Sequence, residues 1–90
     1  MAIGLLFEGV GVTQAQYDQV RNEVAPGDKA APGLLFHARG PTEGGWRVME
    51  VWESHEALDR FFQEKLGHAL QRAKITVQPQ TFEVTTIMQP

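Results

Sequence analysis

The chain of 90 residues contains no cysteine, and this absence excludes both a disulfide framework and a thiolate metal site. The fold must therefore be held by packing alone, which is typical of a cytosolic protein. A domain of this size buries only about 60 to 65% of the surface that its unfolded chain exposes, so a partner would add to its stability. We expect a single domain over residues 1–90 and a cytoplasmic location.

Clusters of positive charge and long apolar runs are also lacking. Eight Lys and Arg residues against eleven Asp and Glu residues give a formal net charge of -3, and the basic residues are scattered, so we expect no nucleic-acid partner and no membrane contact. The apolar segment 1–10 contains Glu8 and is too short to span a bilayer, so we interpret it as a strand and not as a signal segment. The histidines lie on three separate segments without metal-binding spacing, which predicts no metal site.

Turn residues and changes in apolar spacing divide the chain into six elements. Thr13 and Gln16 have the spacing of a capping box at the start of a first helix, which Pro26 ends. Ser54 is a good N-cap for a second helix, where the apolar spacing changes from two residues to three or four. The predicted order is a strand (2–9), a helix (13–25), a strand (33–40), a strand (45–53), a helix (54–70, with a possible break at Gly67) and a strand (77–88).

This order of elements predicts an α+β fold of the ferredoxin-like βαββαβ type. Such a fold has a four-stranded antiparallel sheet with both helices on one face. The other face would expose Leu, Val, Phe and Met side chains unless a second copy covered it, and exposed apolar patches of that size are rare in monomers. We therefore expect a homodimer joined sheet to sheet.

Alternation along the predicted hairpin places polar and aromatic side chains on one face. Pairing of Gly40 with Gly45 would set its register. The side chains that then share a face are Leu35, His37, Arg39, Trp46, Val48, Glu50 and Trp52. Aromatic walls with a few polar groups are what a small-molecule pocket needs.

His37 is the candidate catalytic base on this face. Histidine titrates near neutral pH and could take a proton from a phenolic substrate, which would make the aromatic ring reactive toward dioxygen. The alternative is a half-buried histidine that is bonded to a neighbouring carboxylate or carbonyl. Glu50 is the second candidate catalytic residue, as an acid or a base, although a structural ion pair with Arg39 is the favoured interpretation of this glutamate.

The candidate substrate-binding residues are Arg39, Trp46, Trp52, Phe61 and Phe62. The two tryptophans could stack on a planar ligand, yet tryptophans at strand ends more often fill cores and interfaces. The two phenylalanines fit core packing better than ligand contact.

The segment 40–48, followed by Val51-Trp52-Glu53-Ser54 and the helical pair Phe61-Phe62, resembles the dimeric α/β-barrel superfamily, near its antibiotic-biosynthesis-monooxygenase-like (ABM) members. The resemblance covers nearly the whole chain, and its most specific part is the corner from strand to helix at Trp52-Glu53-Ser54. It implies a small cofactor-independent monooxygenase or related tailoring enzyme. The implied substrate is an aromatic or polyketide-like molecule bound between the sheet and the second helix.

Heme-degrading members of the superfamily typically carry an asparagine on the first strand and a heme-ligating histidine on the second helix. The corresponding positions here are Phe7 or Glu8 and Gln71, so the resemblance implies no heme, and we expect no cofactor. A second interpretation remains open, namely a non-catalytic dimeric module that binds a small molecule or serves in assembly. A cavity that reaches His37 would favour the enzyme, whereas a filled core with His37 bonded to protein would favour the module.

Overall fold

Four antiparallel strands form one sheet in a computed structural model that describes all 90 residues. The strands are β1 (Ile3–Val10), β2 (Leu34–Thr42), β3 (Gly45–Trp52) and β4 (Gln80–Glu83), and their order across the sheet is β2-β3-β1-β4. This order is that of the ferredoxin-like fold, and it confirms the predicted fold class. Strand β4 is much shorter than the twelve-residue strand expected from the alternation in the tail.

The helical elements are α1 (Gln14–Val24), a short 3₁₀ turn (Pro26–Asp28), α2 (His55–Phe61), a π-helical turn (Phe62–Leu66) and α3 (Gly67–Arg72). Residues 55–72 form one continuous helical segment. Both predicted N-caps are present: the Thr13 and Gln16 capping box begins α1, and the Ser54 hydroxyl accepts a hydrogen bond from the amide of Ala57. The helix does not break at Gly67, whose amide instead donates the π-type hydrogen bond to the carbonyl of Phe62.

The β2–β3 hairpin has a register two residues away from the expected one. Thr42, not Gly40, pairs with Gly45, so the connection is only Glu43-Gly44. Gly44 has a φ of 85°, a conformation that glycine adopts without steric cost. A shift by two residues keeps every side chain on its predicted face, because side chains alternate with a period of two.

A bulge interrupts this alternation near the start of β2. Phe36 pairs with Val51, but Leu34 pairs with Trp52, which leaves Leu35 as the extra residue. Leu34 therefore packs into the core beside Trp52, while Leu35 is more than half exposed. The expectation that Leu35 and not Leu34 continues the face of His37 was wrong for this reason.

The core lies between one face of the sheet and the helices. Both helical segments pack on the same sheet face, as predicted. Two clusters of side chains fill the core. The first cluster consists of Val12, Val20, Ala69, Ala73 and Ile75, and the second of Ile3, Leu5, Trp52 and Leu58. Phe7 contacts both clusters, and Trp52 has no exposed surface at all.

The other face of the sheet carries large apolar side chains without a cover. Phe36, Met49 and Phe82 are each at least half exposed. The ring of Phe82 lies directly on Gly4, its partner in the β1–β4 pair, where a Cβ atom would collide with the ring. We refer to Phe36, Met49 and Phe82 as the outer apolar face. None of the helices is both long and apolar enough to cross a bilayer.

Candidate functional site

A cavity of about 380 Å³ lies between the inner face of the sheet, α1, the loop after α1, and α3. Most of its lining is apolar, including Phe7, Val24, Leu66 and Leu70. The polar side chains that line it are Tyr17, Arg21, Asp28, Lys29, His37, Arg39 and Glu50. An apolar cavity of this volume with a few convergent polar groups is typical of a small-molecule site.

His37 and Glu50 form a hydrogen-bonded pair at the wall of the cavity. They are directly opposite each other on β2 and β3, and Nδ1 of His37 lies 2.7 Å from Oε2 of Glu50. The side chains are 24% and 11% exposed. Because a carboxylate accepts the Nδ1 proton, Nε2 is left as the acceptor of the neutral imidazole.

The Nε2 atom of His37 faces the hydroxyl of Tyr17, at 3.1 Å. With Nδ1 donating to Glu50, the tyrosine hydroxyl donates to Nε2. Tyr17 lies in the first half of α1, on the same helix face as Val20 and Val24. Glu50, His37 and Tyr17 therefore form one hydrogen-bonded chain that ends at a phenolic oxygen lining the cavity.

Trp52 fixes the other oxygen of Glu50. Its indole Nε1 donates to Oε1 of Glu50 at 3.0 Å, and its ring packs against Phe61 with 5.1 Å between centroids. Trp52 is one of the residues around the cavity, yet it has no solvent-accessible surface. It therefore holds Glu50 in place from behind the cavity wall, and it fills the core, which the sequence analysis gave as the more common role of tryptophans at strand ends.

Trp46 lies at the opposite end of β3 and stacks on Tyr17. The ring centroids are 5.2 Å apart, and the rings are inclined by 29°. Its indole Nε1 is buried and has no hydrogen-bond partner in the protein. Burial of a donor without a partner costs free energy, so a ligand oxygen that accepted a hydrogen bond from this nitrogen would remove that cost.

Arg39 does not pair with Glu50, contrary to the favoured interpretation. It is opposite Val48, two pairs of residues further along the hairpin than His37 and Glu50. Its Nη2 atom donates instead to both carboxylate oxygens of Asp28, at 3.1 and 3.2 Å. The guanidinium also lies 5.4 Å from the centre of the Tyr17 ring, within the range of a cation–π interaction.

These contacts shift the pKa values of three ionisable groups of the site, among them Tyr17 and Asp28. Burial raises the pKa of Tyr17 above its usual value of 10.0, and the positive charge of Arg39 only partly offsets this effect. The hydrogen bond from Arg39 lowers the pKa of Asp28 below its usual value of 3.8. At neutral pH, Tyr17 is therefore a neutral donor and Asp28 is a carboxylate.

The two phenylalanines of the second helical segment have different positions. Phe61 lines the cavity, whereas Phe62 does not and is packed near Gly67. His55 is exposed and lies 3.5 Å from Asp59, and His68 is exposed on α3. No group of three or more His, Asp or Glu side chains is arranged to hold a metal ion.

Sequence reasoning did not select Tyr17, Arg21 or Asp28 as site residues. Tyr17 follows helical spacing with Val20 and Val24, which is typical of the inward face of a helix, and it is the single tyrosine of the chain. That combination was the available signal for its role. Asp28 gives no such signal, because its position depends on a loop in which its own φ is 59°.

No family model matches the sequence, and no curated protein matches it. Two solved structures named as antibiotic biosynthesis monooxygenases are similar to the chain in fold. The one from Chloroflexus aurantiacus J-10-fl has 16% identity and a TM-score of 0.68, and covers 99% of this chain and 98% of that chain. The one from Deinococcus radiodurans has 14% identity and a TM-score of 0.68, and covers 100% of this chain and 98% of that chain.

A third similar structure is that of SnoaB, a cofactor-independent oxygenase from Streptomyces nogalater. It has 18% identity and a TM-score of 0.61, and covers 99% of this chain and 95% of that chain. At these identities the comparisons show a common fold, and they confirm the resemblance to ABM-like ferredoxin-like proteins at that level.

Proposed function

We propose that the chain is a small monooxygenase that acts without a bound cofactor on a phenolic aromatic molecule. The observation that carries this proposal is the His37–Glu50 pair at the wall of an otherwise apolar cavity of about 380 Å³. A proton acceptor beside an aromatic-lined space suits the deprotonation of a phenol. The common fold with SnoaB, a cofactor-independent oxygenase, supports the same kind of chemistry.

The proposed reaction converts a phenol with a free para position into a quinone. Proton removal makes the ring electron-rich, and the para carbon then forms a bond to dioxygen. Cleavage of the O–O bond leaves one oxygen atom on the ring as a carbonyl, and the second leaves as water. The hydroxyl and the para C–H supply the two hydrogens of that water, and the substrate supplies all four electrons.

In this scheme His37 is the base and Glu50 is the residue that positions it. Glu50 accepts the Nδ1 proton, sets the tautomer and stabilises the imidazolium that forms. The Tyr17 hydroxyl is hydrogen-bonded to Nε2 of His37, so the substrate proton reaches His37 through Tyr17. The tyrosine oxygen accepts the proton of the substrate hydroxyl while the tyrosine's own proton moves to Nε2. Trp46, Phe61 and Arg39 line the space in which the ring would lie.

Oxygen consumption with a panel of phenols and naphthols tests this proposal. We expect turnover by the native chain and a fall in kcat of about a hundredfold or more in His37→Ala, the range of general base catalysis. His55→Ala is the matched control, since His55 is exposed and outside the cavity. Equal rates in all three proteins would contradict the role of His37.

Tyr17→Phe separates the relay from direct proton transfer. The substitution keeps the ring that stacks on Trp46 and removes only the hydroxyl. A relay predicts that kcat falls about as far as in His37→Ala while KM changes little. An unchanged or higher kcat would show that the substrate reaches Nε2 directly and that the relay is wrong.

One observation favours the second candidate, a binding module without catalysis. Both ring nitrogens of His37 are hydrogen-bonded to protein groups, as expected for a structural histidine. Such a module would bind aromatic ligands with equal affinity in the presence and absence of dioxygen and would release them unchanged. Product analysis by mass spectrometry after aerobic incubation distinguishes it from the enzyme.

We also propose that two copies pair through the outer apolar face. Phe36, Met49 and Phe82 are at least half exposed on a continuous sheet surface, and apolar patches of this kind mark interaction sites. Light scattering coupled to size exclusion should give twice the mass of the chain, which is 10.0 kDa. Met49→Glu should reduce the mass to that of a monomer, whereas Glu8→Gln on the same face should not.

A further inference from the structure

Basic side chains are concentrated where the loop after α1 meets β2. Arg21, Lys29 and Arg39 all line the cavity at this end, and Asp28 is the single acidic side chain among them. The chain as a whole has a net charge of -3, so a local excess of positive charge is not a consequence of composition. We call these four residues the cationic rim.

Asp28 does not satisfy the guanidinium groups of the cationic rim. It is shared between Arg39, at 3.1 Å, and Arg21, whose Nη1 atom is 3.6 Å from the same oxygen. Nε of Arg21 is buried and has no hydrogen-bond partner. A buried guanidinium donor without an acceptor carries a desolvation penalty that an additional anionic oxygen would remove.

We propose that the cationic rim is a subsite for a carboxylate, so that the natural ligand is an aromatic acid and not a neutral phenol. This inference rests on the proposed function, because it assumes that an aromatic ring occupies the cavity. The ring would lie against Tyr17 and Trp46, which stack on each other. The carboxylate would accept hydrogen bonds from Arg21 and Arg39 beside the charge of Lys29.

The rim also defines the direction in which such a ligand enters. The side chains of Arg21 and Arg39 are 28% and 29% exposed, and that of Asp28 is 52% exposed, whereas Glu50 at the inner wall is only 11% exposed. A phenol hydroxyl would therefore approach the inner chain of Tyr17, His37 and Glu50, while the carboxylate stays at the partly hydrated rim. One ligand would thus use the proton acceptor at the buried inner wall and an anion site at the partly hydrated rim.

Calorimetric titration with 6-hydroxy-2-naphthoate and with 6-hydroxy-2-naphthamide tests the subsite. The two probes have the same rings and nearly the same shape, and differ in one negative charge. We expect the carboxylate to bind roughly tenfold to a hundredfold more tightly, the effect of charge-assisted hydrogen bonds. The difference should shrink as salt is added, because the rim is partly exposed.

Arg39→Gln should abolish most of this preference, and Arg39→Lys should retain part of it because the positive charge remains. Arg47→Gln is the matched control, since Arg47 is on the outer face and pairs with Glu8 at 2.8 Å. Near-ultraviolet circular dichroism verifies that each variant is folded.

The outcomes separate this inference from the proposed function. Equal affinity for the two probes, unchanged in Arg39→Gln, would overturn the carboxylate subsite and leave aromatic binding intact. Binding of neither probe would contradict both proposals. A preference for the naphthoate that Arg39→Gln and Arg47→Gln reduce equally would also overturn the subsite, because general protein charge would then explain it.

Discussion

His37 and Glu50 are paired across β2 and β3 with 2.7 Å between Nδ1 and Oε2, so the imidazole is oriented by the sheet and not by a mobile loop. Glu50→Gln removes the anionic acceptor of the Nδ1 proton. We expect a mixture of His37 tautomers, visible in long-range proton–nitrogen correlation spectra, and a kcat for phenol oxidation that is lower by about a hundredfold. Unchanged spectra and kcat would contradict the positioning role. Glu56→Gln, on the exposed start of α2, is the control.

Tyr17 is the single tyrosine of the chain, so its ionisation can be followed by near-ultraviolet absorbance without assignment. Burial raises its pKa above 10.0, and we expect a higher titration midpoint in the native protein than in the protein unfolded in urea. Because the folded state favours the neutral phenol, the stability that this group contributes is present below pH 10 and is lost as pH rises through the folded pKa.

Arg39 gives this titration an internal test. Its positive charge lowers the pKa of Tyr17 against the larger effect of burial, so Arg39→Gln should raise the midpoint further. Arg47→Gln should leave it unchanged, since Arg47 is on the other face of the sheet. A midpoint that fell in Arg39→Gln would show that burial, and not charge, had changed.

The elements of the fold could be predicted where local chemistry determines them. Thr13 and Ser54 begin their helices with the expected hydrogen bonds, because a cap depends only on neighbouring residues. His37 and Glu50 share a face even though the register differs by two residues, since alternation tolerates an even shift. The bulge at Leu35 was not predictable, because it serves the packing of Leu34 beside Trp52.

The partners within the site were harder to predict than its members. Arg39 was assigned to Glu50 from the sheet alone, but the loop after α1 brings Asp28 within reach of it. Tyr17 contacts His37 only because the tertiary fold places this residue of α1 within hydrogen-bond distance of β2. Such contacts depend on tertiary distances between segments that single-sequence patterns do not contain. The dimer, the cytoplasmic location and the absence of a metal or cofactor stay predictions.

Asp28 should contribute to stability in a pH-dependent way. The hydrogen bond from Arg39 lowers its pKa in the folded state, so its contribution is present above the usual, unfolded value of 3.8 and is lost as pH falls through the folded value. We expect Asp28→Asn to lower the midpoint of urea unfolding at pH 7 and to have no effect in strong acid.

The substitution Asp28→Asn adds no backbone strain that would change the stability of the folded state. The φ of Asp28 is 59°, and asparagine tolerates the left-handed region as well as aspartate does. Asp18→Asn, which removes the same charge from a residue without an ion pair, is the control. If both variants gave the same change at pH 7, the loss of net negative charge would explain it and the pair with Arg39 would not.

Filling the cavity tests whether it is a binding site or a packing gap. Val24 lies on α1, lines the cavity and packs against the first core cluster. Val24→Phe adds apolar volume there, and we expect stability to rise by roughly 0.5 to 2 kcal/mol, the usual gain from filling a cavity. Naphthoate affinity should fall more than about tenfold, because ligand and side chain would compete for the same space.

Val10→Phe, at a largely exposed position, is the control for added surface. A gain in stability with undiminished binding would mean that the ligand lies elsewhere, whereas lower stability with weaker binding would mean that the phenylalanine distorts α1. The first result would remove the cavity from the proposed function, and the second would require Val24→Leu, a smaller addition at the same place.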